Sequence, residues 1–548
     1  MSKGRIIAFE GVDGAGKSTA LALVAKRLRQ RGTDVFLPRT GKDHASAAVR
    51  AIRDITRDRR NVQLDAHTEL LLYCAREAQV LAELVRPALA RGATVLIDRS
   101  LLTPEVLGLA RGLAPAECEQ STRVAAAGTA VDLTLVFDVH PRTSRIRKRL
   151  ERIRSGSDQR GGRKGLAGSG FKERVRDLYV DLAARRGFPV LHAERAPPDV
   201  LAERALALID HGPGADTGES ELDAVPQWLV PPELDFAQAL GALPMTTALL
   251  MGSGLICARE LRRSAAEREP ALCAYTLDFE DPLRDELAPQ HPAYALRGRG
   301  GLPLAGEHDL RLRLLDRAPA AAIAALKHLS DPEADRLRER YADAQPDAVL
   351  ASLAYREDDT AEQLRERCFD AGTDRFRALS LQGCSGHRAW LLRERLLERD
   401  VVYGVQSLRG VSEPRAHRLL EQHAGFAPAT VLDALGGRSD EPAYDLREAL
   451  FETGREVLDS IRGLDDDAAW RLRERALERW PSTVAHSLLY LATSPRVHST
   501  LARCAALGAG DVQVMRRVQA VQEQASWPAW VKARRTSAGV EVESFDNT

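Results

Sequence analysis

Near the start of the chain, Gly11-Val12-Asp13-Gly14-Ala15-Gly16-Lys17-Ser18 completes the spacing G-x-x-x-x-G-K-S, and its neighbours restrict how it can be built into a fold. Arg5-Ile6-Ile7-Ala8-Phe9 before it reads as a short buried strand. Thr19 to Gln30 after it carries apolar residues at helical spacing. The glycines therefore lie at a strand-to-helix turn, where backbone N–H groups can wrap a phosphate chain without a Cβ in the way and the positive end of the helix adds to the attraction. In such a turn Gly11, Gly14, Gly16, Lys17, Ser18 and Thr19 form the candidate nucleotide-binding set. Lys17 is placed for the β and γ phosphates and the Ser18 hydroxyl for a magnesium ion, so ATP and Mg2+ are the expected cofactors.

To about residue 210 the chain alternates short buried strands with helices. Residues 93–98 and 133–138 are β-rich runs that each end on an aspartate, Asp98 and Asp138. This alternation predicts an α/β domain with a parallel sheet and helices on both faces, whose ligands gather at the carboxyl ends of the strands. Asp98 falls at such an end, where a nucleotide enzyme needs a carboxylate near the metal shell or the loop lysine.

Beyond residue 232 the strand signal disappears and the chain repeats. A leucine usually followed by arginine recurs at Leu261, Leu283, Leu310, Leu337, Leu364, Leu392, Leu419, Leu446 and Leu472, mostly 27 residues apart. Proline follows nine residues after most of these anchors, at Pro270, Pro292, Pro319, Pro346, Pro428 and Pro481, and leucine sixteen after, as at Leu326, Leu353 and Leu408. A helix, a turn with proline at the first position of the next helix, and a second short helix account for these offsets. Units of this size cannot bury an apolar face alone, so a stacked, HEAT-like α-solenoid of two-helix repeats is expected. The arginines and glutamates of Trp390-Leu391-Leu392-Arg393-Glu394-Arg395 and Trp470-Arg471-Leu472-Arg473-Glu474-Arg475 read as solvated i, i+4 pairs. Asp465-Asp466-Asp467 reads as helix-start capping, and Cys384-Ser385-Gly386-His387 as turn and core residues, because a second metal-ligating pair is missing. The domain plan is 1–210 for the α/β part, a Gly- and Pro-rich linker over 211–232, repeats over 233–525 and a tail over 526–548.

The 78 basic and 78 acidic residues cancel, but residues 1–215 hold 37 of the first and 25 of the second, so the front is net positive and the rest equally negative. A basic front suits phosphate-bearing ligands. The repeats, net acidic and without aromatics interleaved among basic residues, give no sign of nucleic-acid binding, and a protein partner is the expected occupant. Seven cysteines without a C-x-x-C pair point to a reducing compartment; with no signal core and no apolar run long enough for a bilayer, a cytoplasmic protein without membrane contact is expected.

The residues from Phe9 to Thr19 resemble the thymidylate kinase pattern F-E-G-x-D-G-x-G-K-[ST]-T. Leu71-Leu72-Tyr73-Cys74-Ala75 with Ala78-Gln79, Asp98-Arg99, the stretch from Ala127-Gly128 to Leu135, and Phe171-Lys172-Glu173-Arg174-Val175-Arg176-Asp177-Leu178-Tyr179 are similar to further motifs of that family, in order. The resemblance covers about residues 3–210. It implies phosphoryl transfer from ATP to a nucleoside monophosphate, dTMP first, and a possible homodimer through the kinase domain. Carried over residue by residue, it puts Asp13 on the sugar hydroxyl, Tyr73 on the base, Arg39 and Arg99 on the acceptor phosphate, and Lys17, Ser18 and Asp98 on the ATP and magnesium side.

Some family members carry a basic residue inside the loop, where this chain has Gly14 and Ala15; Arg160 and Arg163, in a basic glycine-rich segment placed for the lid, are the substitutes expected here. The family's D-R-A-Q becomes Arg76-Glu77-Ala78-Gln79, which moves the arginine by one position, about 100° around a helix, and puts an acid in its place. Arg76 stays an acceptor-site candidate. Ser100 stands where the family has an aromatic, and Val106-Leu107-Gly108 where it has A-Y-Q. An intact ATP side beside an altered acceptor side leaves two expectations: a monophosphate kinase on a repeat scaffold, or a nucleotide-binding switch whose repeats engage a partner.

Overall fold

The structure, a computed structural model, describes residues 4–38, 46–141, 144, 147, 148, 166–193, 196, 198–215, 286–297, 305–327, 329–488, 491 and 494–507. Arg39, Arg160, Arg163, the repeats anchored at Leu261 and Leu283, most of the linker and the tail lie outside these residues. The described residues form two compact units, one within the first 227 positions and one beyond them, which are taken in turn.

In the first unit, β1 (Arg5–Glu10) is buried almost throughout, as expected of a central strand covered on both faces. It lies between β3 (Thr94–Asp98) and β4 (Leu133–Asp138), with β2 (Val35–Phe36) outside β3 and β5 (Val190–His192) outside β4; every pairing is parallel. The β1–β3 register sets Phe9 opposite Asp98, so the loop after β1 and the end of β3 emerge side by side. In α1 (Lys17–Gln30), Ala20, Leu21, Val24, Ala25 and Leu28 recur at helical period and are buried. The helices α2 (Ala47–Arg57) and α3 (Ala66–Val80) pack along each other; α3 runs through a π turn at Leu81–Val85 into α4 (Arg86–Ala90). Next come α5 (Leu102–Ala110), α6 (Pro115–Ala126), α7 (Gly168–Arg186) and α8 (Pro198–His211), and α8 packs on α1.

The second unit is helical. Its described elements run α9 (Pro292–Arg297), α10 (Ala305–Leu314), α11 (Pro319–Ala324), α12 (Pro332–Tyr341), α13 (Pro346–Ser352), α14 (Asp359–Phe369), α15 (Asp374–Ser380) and α16 (His387–Arg399). They continue with α17 (Val401–Gln406), α18 (Pro414–His423), α19 (Pro428–Ala434), α20 (Glu441–Ala449), α21 (Glu456–Ser460), α22 (Asp467–Ala476), α23 (Pro481–Leu488) and α24 (Pro495–Ala506). Pro292, Pro319, Pro346, Pro428 and Pro481 each open the second helix of a pair, as the spacing predicts, and Pro332 and Pro414 open first helices. The short second helices from α9 to α23 pack on one another in succession and carry the core from repeat to repeat. Asp466 caps α22 by accepting from Ala469 N at 3.0 Å, while Asp465 accepts from Trp470 Nε1 at 2.7 Å. Cys384 is buried among the repeat arginines and His387 starts α16.

The arginines overturn the solvated-pair expectation. Arg338, Arg365, Arg393, Arg447 and Arg473, each following an anchor leucine, are almost wholly buried. Arg393 Nη2 donates to the carbonyls of Leu381 and Cys384, both at 2.9 Å, and its Nε to Ser407 Oγ at 3.1 Å. Arg338, Arg447 and Arg473 repeat this scheme with Ser352, Ser460 and Ser487. Each arginine thus satisfies the loop that enters its own first helix and the second helix that follows, which is how a buried cation is tolerated. Three of the guanidinium groups also lie over an aromatic ring, Arg393 over Trp390 at 4.5 Å, Arg447 over Tyr444 at 4.8 Å and Arg473 over Trp470 at 5.0 Å, while Arg338 Nη1 donates to Asp335 Oδ1 at 2.6 Å. Burial pushes all three guanidinium groups down to about 10, so they remain charged at neutral pH. The exposed arginines pair across repeats, Arg395 with Asp370 and Arg475 with Glu448, instead of within one helix.

Candidate active site

The loop between β1 and α1 is shaped by its glycines. Gly11 has φ +126°, and a Cβ there would meet the Phe137 carbonyl oxygen at 2.2 Å; Gly16, also left-handed, is the residue before α1. The turn therefore brings the backbone close to β4 and leaves the α1 N-terminus open for an anion. Lys17 is buried, and its Nζ donates to the carbonyls of Gly11 at 3.0 Å and Val12 at 2.8 Å. Burial, with Arg99 adding to it, lowers the Lys17 ammonium to about 7. Ser18 Oγ donates to Asp98 Oδ2 at 2.5 Å, which ties α1 to the end of β3.

Arg99, immediately after β3, is held with φ +77°, uncommon for a side-chain-bearing residue, and its N–H donates to Phe9 O at 3.0 Å. Its guanidinium donates to Asp13 Oδ1 at 2.5 Å, Tyr179 at 3.1 Å and Thr103 at 3.2 Å. Asp13 also meets Lys148 Nζ at 3.1 Å. Beneath this layer lies Glu10, fully buried at the end of β1. It accepts from Ser100 N at 2.5 Å, Ser100 Oγ and Thr103 Oγ1 at 2.7 Å, and Tyr179 at 3.2 Å. Burial raises the Glu10 carboxyl above its usual range, opposed chiefly by Arg99. Ser100, which replaces the family's aromatic, is thus spent on fixing Glu10 and the turn that carries Arg99.

On α3, Tyr73 is almost fully buried and the Arg76 guanidinium lies 5.1 Å over its ring. Arg76 Nε donates to Glu77 Oε1 at 3.0 Å, so the transposed arginine is held by the acid that took its position. Glu77 shares with Asp98, Arg99, Ser100 and Pro38 the lining of one pocket. Among the candidates named from the sequence, Lys17, Ser18, Asp98, Arg99 and Asp13 converge at the ends of β1 and β3, with Tyr73 and Arg76 on the neighbouring helix. Glu10, Thr103, Tyr179 and Lys148 are site residues the motifs did not single out. Two of them had a signal available in advance: Glu10 is a carboxylate ending an apolar strand directly before the first loop glycine, and Tyr179 ends the last of the quoted motifs.

A Cβ-free loop at a helix N-terminus, with Lys17 at its base, fits a phosphate chain. Among the described residues no three or more His, Cys, Asp or Glu side chains are grouped so as to hold a metal ion by themselves. The Ser18 hydroxyl beside Asp98 instead suits a magnesium ion that takes its other ligands from phosphates and water. Among the described residues no helix is long and apolar enough to cross a membrane.

A parallel sheet with this loop at the edge of its central strand, and an arginine–carboxylate network facing it from the next strand, defines a nucleoside monophosphate kinase of the P-loop class. Comparison with known proteins narrows the class. The family model for thymidylate kinase matches residues 9–203. Thymidylate kinase from Nitratidesulfovibrio vulgaris is 38% identical over 200 residues, 36% of this chain and 88% of that protein. Those from Oleidesulfovibrio alaskensis and Trichlorobacter lovleyi are 35% and 39% identical over 207 and 206 residues, each 37% of this chain and 97% and 96% of theirs. The chain belongs to the thymidylate kinase family.

Proposed function

We propose that this protein phosphorylates dTMP to dTDP with ATP and Mg2+, through a kinase domain over 1–210 joined by a linker over 211–232 to a repeat scaffold over 233–525, with a tail over 526–548. The observation that carries the reading is the convergence of Ser18 with Asp98 and of Arg99 with Asp13 at the carboxyl ends of β1 and β3. ATP with its magnesium supplies the phosphoryl group and the charge that offsets its oxygens. The protein's part is positioning and electrostatics, since phosphoryl transfer asks for little covalent chemistry. In this reading the Lys17 ammonium exchanges the Gly11 and Val12 carbonyls for phosphate oxygens. Ser18 and Asp98 hold the metal side. Arg99, oriented by Tyr179, Thr103 and Asp13, points its planar fork at the acceptor phosphate. Asp13 serves the acceptor sugar and Tyr73 the base, while Arg39, Arg160 and Arg163 add charge from segments outside the described residues.

The test is a panel of nucleoside monophosphates with purified protein and ATP, scored for diphosphate formation against Lys17→Ala. The expected result is dTDP formation well above the control. Binding of ATP with no diphosphate from any monophosphate sinks the kinase reading and leaves a nucleotide-binding switch, which the Arg76–Glu77 pair in the acceptor pocket would then explain.

A further inference from the structure

After β4 the chain returns to the phosphate loop. Ser144, Arg147 and Lys148 are helical residues within about one turn of one another, and each is tied in place. Ser144 Oγ donates to the Asp13 carbonyl, Arg147 Nη2 donates to Ala193 O just past β5 at 2.7 Å, and Lys148 Nζ lies 3.1 Å from Asp13 Oδ2. Ser144 comes so close to the loop that a Cβ at Gly14 would meet its carbonyl oxygen at 2.9 Å, and Gly14 has φ +81°. Ala15, the next residue, is fully buried. The loop therefore has no room for a basic side chain at Gly14, and what fills that room is the segment that brings in Lys148.

Asp13 meets a cation on each of its carboxylate oxygens, Arg99 on Oδ1 and Lys148 on Oδ2. The two come from opposite neighbours of β1, Arg99 from the end of β3 and Lys148 from the chain after β4. Lys148 and Asp13 are both about half exposed, and an ion pair at the surface contributes little as a brace. In the kinase reading Asp13 turns to the acceptor sugar, which releases both cations toward the two phosphate groups: Arg99 to that of the acceptor, Lys148 to the one being transferred. We infer that Lys148 is a catalytic residue whose ammonium offsets the charge on the phosphoryl group in transfer, in place of a cation that the loop cannot carry. This deepens the kinase reading and rests on it. Charge spread over the oxygens of the transferred group is stabilised by cations held in position beforehand. Lys148 acts by charge alone and keeps its proton, while the γ-phosphorus exchanges its bond to the ADP oxygen for one to an oxygen of the acceptor phosphate and the electron pair leaves with ADP.

Lys148→Met and Lys148→Arg test this in the full-length protein, by single-turnover phosphoryl transfer from ATP to dTMP with steady-state kinetics alongside. The expected result for Lys148→Met is a transfer rate lower by about a hundredfold, with both KM values within about threefold of wild type and an unchanged melting temperature. Lys148→Arg keeps the charge and is expected to recover the rate to within about tenfold of wild type. A wild-type transfer rate in Lys148→Met overturns the assignment, as does a loss that Lys148→Arg fails to recover. A raised KM for dTMP at a wild-type rate also overturns it, because Lys148 then only steadies Asp13. All three outcomes leave the kinase reading intact. If the wild type forms no diphosphate from any nucleoside monophosphate, both readings fall.

Discussion

Ser18 Oγ donates to Asp98 Oδ2 at 2.5 Å, the contact through which the loop after β1 senses the end of β3. In a magnesium site the same two groups share the ion, so Asp98→Asn keeps a hydrogen-bond acceptor for Ser18 but removes the one negative charge of the pair. The expected outcome is a fall in kcat of about two orders of magnitude. The Mg2+ concentration needed for half-maximal rate rises and the melting temperature stays unchanged. Magnesium titration of wild type and variant measures both.

Lys17 provides a pH signature. Burial lowers its ammonium to about 7 in the nucleotide-free protein, whereas the unfolded chain keeps the ordinary lysine value. From about pH 7 to 10 the unfolded state therefore binds more protons than the folded one, and this group alone makes the domain more stable as pH rises through that window. Phosphate oxygens favour the charged form, so ATP binding at pH 8 is expected to take up close to one proton. Calorimetry in buffers of different ionisation enthalpy reads the uptake, and Lys17→Met removes it.

The buried arginines of the repeats predict a paired stability effect. Arg447→Leu strands the carbonyls of Leu435 and Arg438 and the hydroxyl of Ser460, which now receive the guanidinium, and is expected to cost about 3 kcal/mol. In one repeat the chain already makes this exchange: Leu420 and Ala434, both fully buried, stand in the positions of the arginine and the serine. Adding Ser460→Ala to Arg447→Leu is therefore expected to recover about 1 kcal/mol. Hydrogen exchange over residues 435–460 reports the change locally.

That ladder also marks where the sequence stopped being readable. The loop, its strand and helix, the aspartates at strand ends and the prolines that open the second helices were legible, because each depends on a few neighbouring residues. An arginine after most anchor leucines reads as surface, since arginine is rarely buried unless paired. Its partners lie nine and twelve residues back and thirteen or fourteen ahead, and the paired change at Leu420 and Ala434 was the one sequence trace of the contact. At the active site, Tyr179 reaches Glu10 across 169 positions.

Glu77 offers the sharpest reading of how far the acceptor site departs from its family. Its carboxylate is buried, bonded to Arg76 and in the same pocket wall as Arg99, so it opposes an incoming phosphate. Glu77→Gln keeps an oxygen for Arg76 to donate to and removes the charge. With the partly screened interaction of two charges across such a cleft set at about 1 kcal/mol, the KM for dTMP is expected to fall about fivefold, with kcat and the KM for ATP unchanged. A KM that rises instead would mean that the carboxylate receives a hydrogen bond from the nucleotide, and that the acid at this position selects an acceptor carrying a donor group there. Running the monophosphate panel on wild type and Glu77→Gln separates the two outcomes: relief of repulsion improves every monophosphate alike, while a lost hydrogen bond penalises only the one that donates it.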